Sequence, residues 1–256
     1  MSDLGTDSAA LRHRIDAHGR FARYEINDWI LGIAKPCSGE RVLDLGCGTG
    51  KQLVPLAARV GAAGVAVGLD CSEPALAAAR AAADAAGQSR VQLVPGRLEQ
   101  LEAALPPLFQ YDLAVCCFAL YYSSTPERTL REAARRQAPG GRLFVCGPAR
   151  ENNREFVAFC DAVVAPEAQT RRRDDTLKFM DEAAPGLFAA VFRSAEWFRF
   201  ENPVVFPSPE DVLDYWRSYH LYSASHEEAF RQALRRHFDS AGRFVTRKVV
   251  SGALLR

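Results

Sequence analysis

Five short apolar runs, separated by helix-forming stretches, occupy the middle of the sequence and constrain the fold more than any other feature. The runs cover residues 42–45, 65–69, 91–94, 113–117 and 142–146. Strands that alternate with helices form β-α-β units, and such units build a parallel sheet covered by helices on both faces. The alternation therefore predicts an α/β protein with a doubly wound, mostly parallel sheet.

The stretches between the runs carry helix signals. Ser72 is a good N-cap for an alanine-rich helix over residues 75–86, and Pro74 suits its first turn. A second helix is predicted from Pro126 to about residue 137, where a Pro-Gly-Gly sequence at 139–141 ends it. Apolar residues at helical spacing over 11–34 predict one further helix beside the sheet, as a lid or flank.

The regular alternation stops after residue 146. Helices are predicted over residues 152–164, 174–184, 209–222 and 227–239, and strands over 192–200 and 243–254. The two added strands bring the expected sheet to seven. No Pro/Gly/Ser-rich linker divides the chain, so we expect one domain over residues 1–256.

Composition excludes several classes of protein. The net charge of +1 gives no broad field for attracting phosphate backbones, so nucleic acid is not an expected partner. The chain lacks both a basic-then-apolar leader and an apolar run of the roughly 20 residues needed to cross a bilayer, which predicts a cytoplasmic protein without membrane contact. Seven cysteines without a C-x-x-C pair argue against a disulfide framework and a zinc finger.

A glycine-rich loop follows the first apolar run. Gly46, Gly48 and Gly50 alternate there, and a helix is expected to begin near Lys51. Glycine permits positive φ and lets a ligand touch the backbone, although a tight strand-to-helix turn alone would also use it. The dinucleotide pattern G-x-G-x-x-G is broken because Lys51 takes the place of its third glycine. Asp44 just before the loop would repel a pyrophosphate and suits a ligand with an ammonium group.

An acidic residue also ends the second run. Asp70 lies about 20 residues beyond the loop, where a carboxylate can accept hydrogen bonds from both hydroxyls of a ribose. An aspartate in this place often serves only as a helix cap. Ser72 already supplies the cap here, which favours ribose binding for Asp70.

These segments resemble the class I S-adenosylmethionine-dependent methyltransferases. The matching stretches are Val42-Leu-Asp-Leu-Gly-Cys-Gly-Thr-Gly50, Asp70, Tyr111-Asp-Leu-Ala-Val115 and Pro139-Gly-Gly-Arg-Leu143, in the family's order. The resemblance implies a seven-stranded sheet with helical lid insertions and S-adenosylmethionine as cofactor. It divides the domain into a flank (1–40), a cofactor-binding core (41–146) and an acceptor-side elaboration (147–256).

The resemblance also implies roles for particular residues. Asp44 would engage the cofactor's ammonium through water, the three glycines would flank its methionyl and adenosyl parts, and Asp70 would bind its ribose. The other residues that the resemblance places at the cofactor are Cys47, Cys71 (near the adenine), Arg97, Leu98, Cys117 and Phe118.

One position departs from the family. The third strand is often followed by Gly-Asp-Ala, with the aspartate near the adenine amino group, whereas this sequence has Gly96-Arg97-Leu98. An arginine cannot accept that hydrogen bond. Either the backbone of Leu98 suffices, Arg97 stacks on the adenine, or adenine recognition is weaker than usual.

The acceptor is expected beside the carboxyl end of the fourth strand, at the switch point of the sheet. Phe118, Tyr121 and Tyr122 follow that strand and either hold an apolar acceptor or pack against the lid. His220 is the candidate base, with packing as its alternative role. A base is optional because positioning and exclusion of water can supply much of the rate.

The sequence favours methyl transfer to an oxygen, nitrogen or carbon atom of a small molecule. Methylation of RNA or protein, and a non-catalytic S-adenosylmethionine-binding regulator, remain alternatives. No metal is expected, although five cysteines fall at or near carboxyl ends of strands, where they act as small buried hydrophobes or bind a soft metal or metalloid: Cys47, Cys71, Cys116, Cys117 and Cys146.

Overall fold

A computed structural model describes residues 8–164, 177–219 and 221–256. Its seven strands are β1 Arg41–Leu45, β2 Val65–Asp70, β3 Gln92–Pro95, β4 Tyr111–Cys117, β5 Gln137–Pro148, β6 Ala195–Phe206 and β7 Phe244–Leu255. Its α-helices are α1 Ser8–Phe21, α2 Ile26–Ala34, α3 Leu53–Val60, α4 Glu73–Ala85, α5 Leu101–Ala104, α6 Pro126–Arg135, α7 Arg154–Val163, α8 Ala184–Val191, α9 Pro209–Arg217 and α10 Glu227–Ala241. Short 3₁₀ turns cover Leu98–Gln100, Leu120–Tyr122 and Ala224–His226, and a π-helical turn covers Phe179–Ala183.

The strands form one sheet in the order β3-β2-β1-β4-β5-β7-β6. Strands β1 to β5 are parallel, whereas β7 runs antiparallel to β5. The strand order reverses between β1 and β4, which is the switch point where ligands bind in such sheets. The predicted doubly wound, mostly parallel seven-stranded sheet is confirmed.

Strand β5 begins earlier than its apolar run indicated. Gln137 pairs with Tyr111 and Arg142 pairs with Leu113, so residues 138–141 form a bulge in the ladder. Gly140 has a φ of 77° in this bulge. The Pro-Gly-Gly sequence at 139–141 therefore lies inside the strand, and α6 ends before it, at Arg135.

The single helix predicted over residues 11–34 is wrong: the structure has α1 and α2 with a break at residues 22–25. Asn202 explains the break. Its amide accepts a hydrogen bond from the Tyr24 backbone N–H (3.0 Å) and donates one to the Tyr24 carbonyl (2.7 Å). Ala22 also forms a bridge with Val204. These bonds replace the helical ones, which the sequence of the helix itself does not reveal.

The later elements follow the predictions with shifted ends. Strand β6 extends to residue 206, and α9 ends at residue 217 instead of 222. The helix predicted over 174–184 begins outside the described residues, and its described part is the π-helical turn followed by α8. No described helix is both long and apolar enough to span a membrane.

The described residues divide into two compact units. The sheet unit comprises residues 26–150, 177–200 and 250–256, and the aromatic unit comprises residues 8–25, 151–164, 201–219 and 221–249. Side chains of the sheet unit alternate between two buried clusters, one containing Val42 and Cys117, the other Leu43 and Cys116. The aromatic unit has its own core, in which the rings of Trp216 and Phe230 stack 3.9 Å apart.

Candidate active site

The glycine loop is ordered by backbone contacts within the sheet unit. The backbone N–H groups of Gly46 and Cys47 both donate to the carbonyl of Leu69, at 2.8 and 3.0 Å. Gly46 has a φ of 76°, and a Cβ atom there would lie 2.4 Å from the Cβ of Ala119. Gly48 also has a positive φ, of 52°, but nothing lies within 4 Å of its Cβ position. Packing thus requires glycine at 46, while the face of the loop at 48 is open.

Asp70 at the end of β2 holds the same loop. One carboxylate oxygen accepts a hydrogen bond from the Gly48 N–H (2.8 Å), and the other accepts one from the Ser72 N–H (2.9 Å). A carboxylate oxygen has two acceptor sites, so each can take a further hydrogen bond. Ser72 caps α4 as predicted, through a bond from the Ala75 N–H to its hydroxyl (3.3 Å).

Asp44 on β1 is the least satisfied charged group of this region. Its side chain is 1% exposed, and its Oδ2 atom has no hydrogen-bond partner. Burial and the nearby charge of Asp70 raise the pKa of Asp44 to about 7, although a hydrogen bond from the Leu53 backbone lowers it in part. A buried carboxylate is costly without a partner, so this position is suited to a positively charged ligand group.

Four of the five strand-end cysteines are buried thiols. Burial is the first cause that raises the pKa of Cys47 and Cys116, while a hydrogen bond with Cys146 is the largest cause for Cys117. Cys71 is exposed. Within the described ranges, no three or more His, Cys, Asp or Glu side chains cluster as metal ligands would. The thiols of Cys47, Cys116 and Cys117 are therefore neutral at physiological pH, and the four buried cysteines pack as small apolar groups.

Arg97 follows β3 and is half-exposed. Its Nε atom lies 3.6 Å from Oε2 of Glu99, so its guanidinium is engaged by that carboxylate. The other oxygen of Glu99 accepts hydrogen bonds from the backbone N–H (2.7 Å) and the hydroxyl (3.1 Å) of Ser124. Burial alone would raise the pKa of Glu99, but these and other hydrogen bonds lower it overall. Leu98 starts the 3₁₀ turn that follows Arg97.

Phe118 follows β4 in an unusual backbone conformation. Its φ is 58°, and its backbone N–H donates to the Cys146 carbonyl at 2.8 Å. A bulky residue in the left-handed region costs about 1–2 kcal/mol, and such strain is concentrated at functional sites. The position of Phe118 at the switch point agrees with a role in ligand binding.

Tyr121 and Tyr122 lie in the 3₁₀ turn after Phe118. Their ring centroids are 4.5 Å apart and the ring planes are tilted by 52°. Burial, followed by the interactions with Tyr122, raises the pKa of Tyr121 well above its usual range. Tyr121 is therefore a neutral hydrogen-bond donor and a poor base near neutral pH. His220, the candidate base, lies outside the described residues.

Three neighbours of Tyr121 were not among the predicted site residues. The ring of Phe179 lies 6.4 Å from that of Tyr121. A Cβ atom on Gly147 would lie 3.0 Å from the Met180 side chain and 3.1 Å from the Tyr121 ring, so glycine permits this close packing. Gly147 directly follows the fifth apolar run, and a glycine there weakly indicates that side chains pack closely against the backbone. The sequence near residue 179 contains no signal that it lies beside Tyr121.

Asn27 on α2 is a further residue that sequence reasoning missed. Its side-chain amide donates to the Lys51 carbonyl (2.9 Å), and its carbonyl oxygen accepts from the Gln52 side chain (3.1 Å). Both partners come directly after the glycine loop. Asn27 therefore fixes the segment that joins the loop to α3.

The known proteins that resemble this chain are methyltransferases, which agrees with the geometry of the glycine loop, Asp44 and Asp70. A methyltransferase domain family matches residues 42–141. A ubiquinone biosynthesis O-methyltransferase from Azoarcus sp. (strain BH72) is 36% identical over 56% of this chain and 59% of its own length. Nocamycin O-methyltransferase from Saccharothrix syringae is 31% identical over 65% of this chain and 62% of its own length. The chain thus spans about three fifths of these relatives.

The fold also has solved counterparts. The YcgJ protein from Bacillus subtilis superposes with a TM-score of 0.58 at 18% identity, over 90% of this chain and 97% of that one. Residues 42–141 match a methyltransferase domain and the described residues share the fold of this solved counterpart, in agreement with the resemblance to the class I S-adenosylmethionine-dependent methyltransferases. The cofactor of this family is S-adenosylmethionine.

Proposed function

We propose that this chain transfers the methyl group of S-adenosylmethionine to a small-molecule acceptor. The observation that carries the proposal is the buried Asp44 carboxylate, whose Oδ2 atom lacks a partner beside an open glycine loop. The cofactor has an ammonium group, which would neutralise the Asp44 carboxylate by direct contact or through a water molecule. A dinucleotide carries no such group and would bring a pyrophosphate instead.

The residues present fit the cofactor. Asp44 would pair with its ammonium group, the open face of the loop at Gly48 would admit its chain, and Asp70 retains acceptor sites for the ribose hydroxyls. Phe118 would offer an aromatic face to the positive charge on sulfur. We propose that the adenine is contacted by Arg97, Leu98 and Cys71. The walls of the cofactor site would include Cys47 and Cys117.

The bound cofactor supplies a methyl group on a sulfonium, which is already reactive. The chain's own task is to hold the acceptor atom in line with the methyl group and to exclude water. Tyr121 and Tyr122 are proposed to contact the acceptor. A neutral Tyr121 orients it by hydrogen bonding and does not remove its proton.

Two observations support a small acceptor over RNA or protein. The net charge of +1 provides little attraction for a phosphate backbone. Both curated relatives are named for small molecules, ubiquinone biosynthesis and nocamycin. The acceptor of this chain is proposed to be of the same general size class.

Calorimetry with S-adenosylmethionine, its demethylated product S-adenosylhomocysteine and NAD tests the cofactor. We expect both sulfur compounds to bind and NAD not to bind. Asp44→Asn should weaken binding, whereas Asp84→Asn on the exposed side of α4 is the matched control and should not. Binding of NAD alone would refute the proposal.

Catalysis is tested by incubating the protein with methyl-labelled S-adenosylmethionine and a metabolite extract. Transfer of label to small-molecule products, dependent on Asp44, is the expected result. Cofactor binding without any labelled product from metabolites, RNA or protein would indicate a regulator instead of an enzyme. Label found only in RNA or protein would move the acceptor to a macromolecule.

A further inference from the structure

Glu99 joins the segment that follows β3 to the segment that follows β4. It lies in the 3₁₀ turn Leu98–Gln100, and its Oε1 atom accepts hydrogen bonds from the backbone N–H (2.7 Å) and the hydroxyl (3.1 Å) of Ser124. Ser124 comes two residues after Tyr122. A glutamate beside the residues proposed to contact the adenine is therefore bonded directly to the segment proposed to contact the acceptor.

Residues 118–124 form the acceptor turn, which is held at both ends. At its start, the backbone N–H of Phe118 donates to the Cys146 carbonyl of β5 at 2.8 Å. At its far end, the hydrogen bonds to Glu99 attach it to the segment after β3. Tyr122 lies between these two anchors and is 44% exposed. The two anchors thus fix the stretch of chain that faces an incoming acceptor.

The carboxylate of Glu99 is well suited to this bridging role. Its side chain is only 15% exposed, and a carboxylate largely removed from water needs hydrogen-bond partners. Hydrogen bonds to a charged acceptor are about twice as strong as those between neutral groups. The bonds from Ser124 therefore hold the turn more firmly than a neutral side chain at position 99 would.

Arg97 is the weaker of the two partners of Glu99. Its Nε atom lies 3.6 Å from Oε2 of Glu99, and half of its side chain is exposed. An ion pair in contact with solvent contributes little free energy. Removal of the Glu99 carboxylate should therefore release the acceptor turn while it changes the adenine side, and hence cofactor affinity, only slightly.

We propose that Glu99 is a positioning residue for methyl transfer, because it holds the acceptor turn where Tyr121 and Tyr122 orient the acceptor. The inference rests on the proposed function and names a residue that acts through the turn without touching the acceptor. In-line transfer depends steeply on geometry, since a displacement of about 1 Å can slow a reaction about a hundredfold. A turn released at one end should thus lower the maximal rate with little effect on cofactor binding.

Glu99→Ala and Glu99→Gln test this role. The protein is incubated with methyl-labelled S-adenosylmethionine and a metabolite extract, and labelled product gives the maximal rate and the KM for the cofactor. Glu99→Ala should lower the maximal rate about tenfold, with this KM and the calorimetric affinity for S-adenosylhomocysteine nearly unchanged. Glutamine keeps an oxygen that can accept the Ser124 hydrogen bonds, so Glu99→Gln should recover most of the rate.

The matched control is Glu102→Ala. Glu102 lies three residues further along, is exposed, and pairs with Arg135 at 4.0 Å instead of with the acceptor turn. This substitution removes the same charge from the same segment and should leave the rate unchanged.

Hydrogen exchange followed by mass spectrometry examines the turn without turnover. With S-adenosylhomocysteine bound, peptides that cover residues 118–124 should exchange faster in Glu99→Ala than in the unaltered protein, and Glu99→Gln should restore the slower exchange. If Glu99→Ala does not fold, Ser124→Ala carries the test. Ser124 is exposed, and loss of its hydroxyl removes one of the two bonds, so rate and exchange should change in the same direction.

The outcomes separate two failures. The positioning role is overturned by an unchanged maximal rate in Glu99→Ala, by a Glu99→Gln protein as slow as Glu99→Ala, or by an equal loss of rate in Glu102→Ala. It is also overturned if Glu99→Ala loses only thermal stability or cofactor affinity. Each of these results leaves the proposed methyl transfer intact. Absence of any labelled product from the unaltered protein overturns the proposed function itself, and the positioning role with it.

Discussion

Asp44→Asn should stabilise the cofactor-free protein above about pH 7 while it removes the ammonium partner. The pKa of Asp44 is about 7 in the folded protein and 3.8 without structure, a difference of about 3 units. Each unit corresponds to about 1.4 kcal/mol, so ionisation of Asp44 costs the folded state about 4 kcal/mol at high pH. Asparagine has nearly the same shape and carries no charge, so it removes the cost of ionisation without leaving a cavity.

The sign follows from proton binding. Between about pH 4 and pH 7 the folded state keeps a proton on Asp44 that the unfolded state has released, so the Asp44 contribution to stability falls as pH rises through this window. Urea unfolding without cofactor at pH 5 and pH 8 measures it. The difference in unfolding free energy between Asp44→Asn and the unaltered protein should grow towards about 4 kcal/mol from pH 5 to pH 8, whereas Asp84→Asn should show no such change.

Cofactor binding should have the opposite pH dependence. The ammonium requires the ionised carboxylate, so affinity should fall about tenfold for each pH unit below 7 in the unaltered protein. Calorimetry in several buffers would also detect the released proton. The reasoning would be refuted by an Asp44→Asn protein that is no more stable at pH 8 and binds the cofactor with unchanged affinity.

Three further predictions concern the cofactor-binding loop and its neighbours. Asp70→Ala should weaken cofactor binding by about 1.5–3 kcal/mol, the scale for hydrogen bonds to a charged group, and calorimetry on a protein shown to be folded by circular dichroism would contradict this by finding equal affinity. Gly46→Ala should lower the melting temperature more than Gly48→Ala, because only the former meets Ala119, at 2.4 Å; equal shifts would argue against that clash. Asn27→Ala should weaken cofactor binding several-fold by loosening the segment after the loop, and unchanged affinity would give Asn27 a purely structural role.

The parts of the fold set by local patterns could be predicted from sequence. Alternating apolar runs gave five parallel strands, and alternating glycines before an acidic strand end located the loop. Strand ends depend on register with neighbours, which explains why the bulge at residues 138–141 was missed. The break between α1 and α2 depends on Asn202, some 178 positions away from Tyr24, and no local pattern contains that information.

The residues of the candidate site also differ in whether a local sequence pattern or a distant contact places them there. Asp44 and Asp70 could be proposed as site residues from the sequence because each adjoins a recognisable motif. Phe179 and Met180 reach Tyr121 only through the folded chain, so spacing along the sequence could not reveal them. The role of His220 as a base remains a prediction.

The hydrogen bonds from Gly46 and Cys47 to Leu69, and from Gly48 to Asp70, hold the glycine loop without any ligand. A loop that is already ordered loses little conformational entropy when a ligand arrives. Its free and bound shapes should be nearly the same, so the cofactor would meet a rigid surface and associate in one kinetic step. Any slow step in the catalytic cycle would then arise on the acceptor side, where Tyr122 reaches the surface.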